Sequence, residues 1–369
     1  MVDPLKLGRR AAGTVGTASK GALATGRNGL AYARGADLDD LDSTPKDVVW
    51  SAGKVRLLRV RSDQVVHPKP LLIVHSLISR PYIFDLLPGN SVVAWLRDRG
   101  HDVFLIDWGV PDASDAGNTF ATYVDHYLRP AVGAVQQKTG AEAVALLGYC
   151  FGGVLSLLAL ATDPELPVRD LALVATPVEF RAITALRRAT KPGRLKARHL
   201  VDPSGNVPPR VFRRTLRMLR PTNDLSAMVT LIDRLGDREY VRNHHALNRW
   251  TDDQIPFSGA LFRESLDLVR DNGFLAGTAR VDGRQVDFAG IRARVLAFMA
   301  LRDHLVPHPS AAPIARLLPN ADLGTVEVDS GHVALLLGAR AQQQTLPALD
   351  DWLTERRSSA SAGDEGTDA

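Results

Sequence analysis

The stretch ALLGYCFGGVLSLLAL, residues Ala145–Leu160, contains the only cysteine among 369 residues. An apolar run reaches Gly148, Cys150 follows two residues later, and two further glycines precede a second apolar run. The pattern predicts a strand ending near Tyr149, a tight turn and a helix beginning near Phe151. Small residues two before and two after a nucleophile are typical of the turn called a nucleophile elbow. A buried, unreactive thiol is the alternative, because free cysteine also packs as a small hydrophobe.

Short continuous apolar segments recur along the chain and alternate with helix-like segments. Strands covered by helices on both faces of a parallel sheet are apolar throughout rather than alternately. The strand candidates are residues 47–62 (a strand–turn–strand), 70–76, 101–108, 143–149, 171–178, 293–301 and, more weakly, 323–330. The helix candidates are residues 91–99, 119–139, 151–162, 310–318 and 333–355. The alternation predicts an α/β protein with a doubly wound, mostly parallel sheet.

One long interval, residues 179–289, lacks a convincing strand pattern and contains six prolines. We predict that it forms a large cap over the carboxyl edge of the sheet, where ligands bind in open α/β sheets. The core then consists of residues 44–178 and 290–355. A basic, Gly- and Ala-rich arm (1–43) precedes it, and a disordered tail (356–369) follows it.

Composition narrows the class of protein further. The chain is 45% hydrophobic and 23% charged, as is usual for a globular protein with a large core. A single cysteine excludes an intramolecular disulfide, and no apolar run approaches the roughly 18 residues of a membrane helix. We therefore expect a soluble, cytoplasmic protein with no transmembrane segment, no metal site and no nucleic-acid partner.

The net charge of +4 is unevenly distributed. Residues 181–220 contain twelve Lys or Arg residues and a single acid, Asp202. This basic stretch is either a solvated cap surface or a surface that attracts an anion. The anion is either the phosphates of a nucleotide-containing substrate or the acidic face of a partner.

An elbow nucleophile requires an acid and then a histidine later in the chain. Asp303 comes just after one predicted strand, and His332 lies in the loop after another. Asp303 could instead cap the following helix, His332 could be a structural loop residue, and Asp329 is a rival acid only three residues before the histidine. Because three members occur in the required order, we predict a Cys150–His332–Asp303 triad.

The oxyanion hole of such a site uses two backbone amides. We predict that Phe151 donates one of them. The loop of residues 75–80, after an earlier predicted strand, supplies the other from Leu77 or Ile78. The alternative is that this loop is merely a connection.

Six segments of the chain carry a resemblance to a known family. They are STPKDVVWSAGKVRLLRV (43–60), PLLIVHSLISRPYIFDL (70–86), DVFLIDWGVPD (102–112), LLGYCFGG (146–153), RDHLVP (302–307) and DSGHVALLLGARAQ (329–342). They resemble polyhydroxyalkanoate synthases, most closely the short catalytic subunits of the two-subunit class III and class IV enzymes. The resemblance covers about residues 44–353 and implies an α/β-hydrolase fold with Cys150 as nucleophile, Asp303 as acid and His332 as base.

The resemblance implies an acyltransferase that polymerises 3-hydroxyacyl-CoA, with CoA as part of the substrate and no separate cofactor. The partners that it implies are the growing polyester chain, a second synthase subunit, a second copy of this chain and the surface of a polyester granule. Phe151 stands where many synthases have Gln, and Ser79 replaces the Asn of an NRPY segment, so substrate preference is open. The alternatives are a cysteine-dependent thioesterase or depolymerase with the same triad, and a non-catalytic granule-coating protein.

Overall fold

The computed structural model describes residues 38–190, 199–218, 230–231 and 233–355. The predictions for the tail and for most of the N-terminal arm fall outside the described residues. Part of the basic stretch, including residues 191–198, falls outside them too.

Fourteen strands occur within the described residues. Eight of them form a central sheet in the spatial order β1-β2-β6-β3-β7-β8-β13-β14, and the other six form three two-stranded ladders. In chain order the strands are β1 (Lys46–Ala52), β2 (Val55–Val60), β3 (Leu71–Val74), β4 (Asp85–Leu87), β5 (Asn90–Ser91), β6 (Val103–Asp107), β7 (Val144–Tyr149), β8 (Val168–Val174), β9 (Asn206–Val207), β10 (Phe257–Ser258), β11 (Arg280–Val281), β12 (Arg284–Gln285), β13 (Arg294–Ala300) and β14 (Asp322–Val328).

The central sheet is mostly parallel. Strands β1, β2 and β6 pair in antiparallel fashion, and every other pair in the sheet is parallel. Val74 pairs with Gly148, and Ala300 pairs with Val328, so the carboxyl ends of these strands share one edge. The prediction of a doubly wound, mostly parallel sheet is confirmed.

The core lies on both faces of this sheet. Along β3, Leu72 and Val74 belong to one buried cluster, whereas Leu71 and Ile73 belong to a second cluster on the opposite face. All four residues are almost completely buried. This two-sided burial explains why the central strands are apolar throughout instead of alternating.

Helices connect the strands and cover the sheet. None of the described helices combines the length and the apolarity that crossing a bilayer requires. The α-helices are Val92–Arg97, Arg129–Thr139, Phe151–Thr162, Thr184–Ala189, Pro209–Met218, Arg238–Asp252, Gly259–Asp271, His308–Ala311, Ile314–Leu317, Gly338–Arg340 and Leu346–Thr354. Short 3₁₀ segments lie at Pro81–Phe84, Ala113–Asp115, Phe180–Ala182, Phe288–Gly290 and Val333–Leu335, and π-helical turns lie at Thr122–Leu128 and Ala341–Thr345.

Two of the predicted helices are divided into shorter segments in the structure, so the prediction of continuous helices was wrong there. Residues 333–355 form four consecutive helical segments. The first ends at Leu335, and Gly338, with a left-handed φ of 79°, separates it from the other three, which follow one another without a gap. The segment 310–318 is split at Pro313, whose ring and missing amide hydrogen interrupt helical hydrogen bonding.

The long insertion, residues 179–289, joins β8 to β13, which are neighbours in the sheet. The expectation of an interval without strands is corrected, since β9 pairs with β10 and β11 pairs with β12. Two-residue strands are too short to produce a periodic signal in sequence. The insertion contacts the loop after β3, because the amide of Ile255 donates to the carbonyl of Ile78 at 3.1 Å. The exact division into core and cap stays a prediction.

Candidate active site

Cys150 lies between β7 and the helix Phe151–Thr162, in a backbone conformation that side chains rarely adopt. Its φ is 55° and its ψ is −117°, and its amide donates to the carbonyl of Val174 at 2.9 Å. Such strain persists only where the surroundings enforce it, and it is commonly found at functional sites. The thiol is therefore held at the positive end of a twelve-residue helix, where negative charge on sulfur is stabilised.

The glycines around Cys150 are required by close backbone contacts. A Cβ atom on Gly152 would lie 2.0 Å from the carbonyl oxygen of Val74, at the end of β3. A Cβ on Gly148 would lie 2.5 Å from the Cα of Gly153. The two glycines let strand, turn and helix pack at distances that any larger residue would prevent.

His332 and Asp303 form a buried pair beside Cys150. The Nδ1 atom of His332 lies 2.6 Å from Oδ2 of Asp303. The other carboxylate oxygen, Oδ1, accepts hydrogen bonds from the amides of Leu305 and Val306 at 2.7 and 2.9 Å. Asp303 thus contacts the imidazole and orders its own loop. It does not cap the helix His308–Ala311, whose N-cap residue is Pro307.

The pKa of His332 reflects the charged groups around its ring. Burial by itself lowers the pKa of His332, but negative charge on Cys150 and on Asp303, together with hydrogen bonds to both, raises that pKa to about 10. A positive charge on His332 is therefore favoured in this buried position, next to Cys150 and Asp303.

Asp329, the alternative acid, lies at the surface and outside the His332–Asp303 pair. Asp329 is exposed, and its Oδ1 forms an ion pair with Nε of Arg302 at 2.7 Å. The neighbouring His304 is also exposed. Of the residues considered from sequence, the structure brings together Cys150, His332 and Asp303, whose catalytic roles stay a prediction.

The predicted oxyanion donors lie on the two segments that meet at the elbow. Phe151 is the first residue of its helix, and the first amides of a helix have no partner within the helix. Leu77 is buried and Ile78 is half-buried in the loop after β3, which Gly152 contacts closely. The participation of these amides in an oxyanion hole stays a prediction.

Sequence reasoning did not single out His75, which directly follows β3 and is only 1% exposed. Burial lowers its pKa to about 4, although the charge of Asp107 and the backbone of Ser76 oppose this shift. The indole of Trp108 donates to the carbonyl of His75 at 3.0 Å. A polar residue directly after a wholly apolar strand was the only signal available in sequence.

Apolar side chains surround the thiol. Met299, Val306 and Ala311 form a small buried cluster against which Cys150 packs. On the other side of the elbow, the ring of Phe151 stacks on Phe120 at 6.0 Å and meets Phe257 edge-on at 5.8 Å; Phe257 in turn meets Phe212 at 5.6 Å. Cys150 itself is half-buried, so apolar side chains line its position while the residue keeps some contact with solvent.

A strained elbow, a buried Asp–His pair and a mostly parallel sheet define an α/β-hydrolase-fold protein, and comparison with known proteins agrees. A family model for the α/β hydrolase fold matches residues 69–339, and a model for the N-terminus of poly-β-hydroxybutyrate polymerase (PhaC) matches residues 31–96. A crystal structure of a candidate lipase from Sulfolobus solfataricus superposes with a TM-score of 0.55 and 16% identity. It covers 84% of this chain and 92% of that one, and it shows the fold alone.

The chain belongs to the poly(3-hydroxyalkanoate) polymerase family. It is 33% identical over 326 residues to the polymerase subunit PhaC of Allochromatium vinosum, covering 87% of this chain and 91% of that protein. The PhaC subunit of Synechocystis sp. is 32% identical, covering 89% and 90%. For Haloferax mediterranei the identity is 33%, but the match covers only 64% of that longer protein. The predicted resemblance to short synthase subunits is confirmed.

Proposed function

We propose that this protein polymerises 3-hydroxyacyl groups from CoA thioesters into polyester through an acyl-enzyme on Cys150. The observation that carries the proposal is the placement of Cys150 at a strained helix N-terminus beside the His332–Asp303 pair. The names of the relatives support polyester synthesis as the overall reaction.

The first half-reaction transfers the acyl group from CoA to the enzyme. His332 holds the proton of the Cys150 thiol, and the thiolate attacks the carbonyl carbon of the thioester. The backbone amides of Phe151 and of Leu77 or Ile78 stabilise the oxyanion that forms. The bond from carbon to the CoA sulfur then breaks, and His332 returns its proton to that sulfur. CoA is thus a substrate group and not a resident cofactor.

The second half-reaction extends the polyester. The hydroxyl of the growing chain or of the next monomer attacks the acyl-enzyme carbonyl while His332 accepts the hydroxyl proton. Asp303 stabilises the imidazolium through its 2.6 Å contact with Nδ1. An ester bond forms, the bond to the Cys150 sulfur breaks, and the thiol regains its proton from His332.

A thiol suits this reaction, because exchange between two thioesters is nearly balanced in free energy. Water must nevertheless be kept from the acyl-enzyme, or hydrolysis replaces polymerisation. The apolar residues around Cys150, namely Met299, Val306 and Ala311, favour that exclusion, as does the aromatic group beside Phe151.

The proposal includes partners and location. We propose that the protein works in the cytoplasm at the surface of polyester granules, with a second synthase subunit and as a homodimer. On the cap helix Pro209–Met218, Arg214 is exposed and Arg213 is half-buried. We propose that both attract the phosphates of CoA, an attraction that salt screens over roughly 8–10 Å.

The decisive experiment incubates the purified full-length protein with 3-hydroxybutyryl-CoA, with and without the second subunit of a two-subunit synthase. Polymer together with free CoA supports the proposal. Monomeric 3-hydroxybutyrate with free CoA would identify a hydrolase, and absence of CoA release in both mixtures would contradict an enzymatic role. Cys150→Ala protein controls for release that does not pass through the thiol.

A further inference from the structure

A second group of histidine and carboxylate side chains lies far from the elbow, at the amino-terminal edge of the sheet. His67 precedes β3, His101 precedes β6, and Asp350 lies on the helix Leu346–Thr354. One donor atom from each residue lies within 4.8 Å of the other two. Among the residues that the structure describes, this is the only such group of three.

We propose that His67, His101 and Asp350 bind one divalent transition-metal ion of the Zn²⁺ type. Two imidazoles and one carboxylate are ligands that Zn²⁺ accepts, and a water molecule completes a tetrahedral shell in sites with three protein ligands. The site is distinct from Cys150 and independent of the proposed polymerase reaction.

Metal binding requires the two imidazole rings to turn, because the nitrogen lone pairs of stacked rings lie in nearly parallel planes. The His67 and His101 rings are stacked with their centroids 4.4 Å apart, and Nε2 of His101 lies 2.7 Å from Oδ1 of Asp350. Zinc bonds of about 2.0–2.1 Å place tetrahedral donors roughly 3.4 Å apart. Entry of the ion therefore separates the His101–Asp350 pair by about 0.7 Å and draws the half-buried His67 inward.

A backbone carbonyl orients His67, one of the proposed ligands, and His101 is buried beside Asp350. Nε2 of His67 lies 3.0 Å from the carbonyl oxygen of Arg99, to which its N–H donates, leaving Nδ1 free to bind a metal. A backbone carbonyl commonly fixes metal-binding histidines in this way. His101 is 2% exposed, and its Nε2 atom faces the carboxylate of Asp350.

One neighbouring charge opposes the cation. Nε of Arg99 lies 3.6 Å from Oδ2 of Asp350, where it competes for the carboxylate and repels a metal ion. We therefore expect the Arg99→Gln variant to bind Zn²⁺ several-fold more tightly than the parent protein. The ion would also join the helix Leu346–Thr354 to the segment before β3, so binding should raise Tm.

Zn²⁺ titration by calorimetry tests the proposal. The full-length protein carries Cys150→Ala, so that the thiol cannot bind the ion, and is first stripped with a chelator. We expect one Zn²⁺ per chain, and at least a tenfold loss of affinity in His67→Gln and in Asp350→Asn. The matched control is His308→Gln, because His308 forms a similar 2.7 Å pair with Glu327 but has no third ligand in the group found here.

The outcomes separate clearly. A single site that is weakened by both ligand variants, but not by His308→Gln, supports the proposal. Absence of binding in the stripped protein, or equal affinity in the parent and in folded His67→Gln, would overturn it. His67 is half-buried, so its variant remains informative if Asp350→Asn unfolds; thermal melts without metal report folding in each case.

Discussion

Two buried histidines at the same edge of the sheet have opposite properties. His332 follows β14 and His75 follows β3, and their exposed fractions are only 6% and 1%. The pKa of His332 is raised to about 10, whereas that of His75 is lowered to about 4. Burial opposes the charged form of both rings, so burial cannot explain the difference.

The difference between the two pKa values comes from the groups that contact each ring. His332 contacts the carboxylate of Asp303 and interacts with Cys150, which together outweigh the loss of water. No side chain of the described residues hydrogen-bonds to the ring of His75, and the charge of Asp107 acts on it only through space. The comparison teaches that charged neighbours, more than depth of burial, distinguish a protonated buried histidine from a neutral one.

The largest effect should follow removal of the proton carrier or its nucleophile. Cys150→Ala and His332→Gln should each lower CoA release by about 10³-fold or more, because members of a triad act as a unit. His308→Gln, which alters a half-exposed histidine with a carboxylate partner, should retain activity. Near-normal turnover by the Cys150→Ala protein would exclude the acyl-enzyme.

Asp303→Asn should reduce the upward pKa shift that distinguishes His332 from His75. Loss of the negative charge lowers the pKa of His332, so less imidazolium supports the thiolate. We expect turnover to fall by up to roughly 10⁴-fold, still less than on loss of Cys150 or His332. We also expect iodoacetamide to label Cys150 more slowly at neutral pH. The rate of labelling against pH measures this directly, and an unchanged profile would show that Asp303 does not act on the pair. Asp329→Asn is the matched control, since Asp329 pairs with Arg302 at the surface.

Gly152→Ala should disturb the packing that brings the β3 loop, with His75, against the elbow. The new Cβ would meet backbone atoms of Val74 at 2.0 Å and of His75 at 2.9 Å, which cannot move aside as a side chain can. We expect the free energy of unfolding to fall by about 3 kcal/mol or more. Gly133→Ala, in a helix with no atom near its Cβ, should instead stabilise by up to about 1 kcal/mol. Equal denaturant midpoints for the two variants would contradict this account.

His75 should produce a smaller effect that depends on pH. Its pKa is about 4 in the folded protein and near 6.5 when unfolded, so the unfolded chain binds more protons between these values. Its contribution to stability is complete above pH 6.5 and is lost as the pH falls towards 4, by at most about 3 kcal/mol. Urea unfolding across this range should therefore show a shallower pH dependence in His75→Gln than in the parent. Parallel curves would mean that His75 is not buried in its neutral form.

Much of the fold and of the candidate site could be predicted from local sequence. The apolar runs at β3 and β7 indicate strands buried on both faces, because every residue of such a strand is buried and is therefore apolar. The spacing of Gly148, Cys150 and Gly152 indicates a tight turn, because the steric demand of the turn acts on adjacent residues. The chain order of nucleophile, acid and histidine then pointed to Asp303 and His332.

Only the tertiary structure decided which groups share an environment. It separates Asp329 from the site, although that residue lies three positions from His332, and it brings Asp303 to 2.6 Å across 29 positions. It joins His101 to Asp350 across 249 positions. The physical reason is that charge proximity and loss of water depend on side chains from distant segments. A local sequence pattern reflects how one segment packs. The pKa of a histidine, in contrast, is determined by the groups that distant segments place beside its ring.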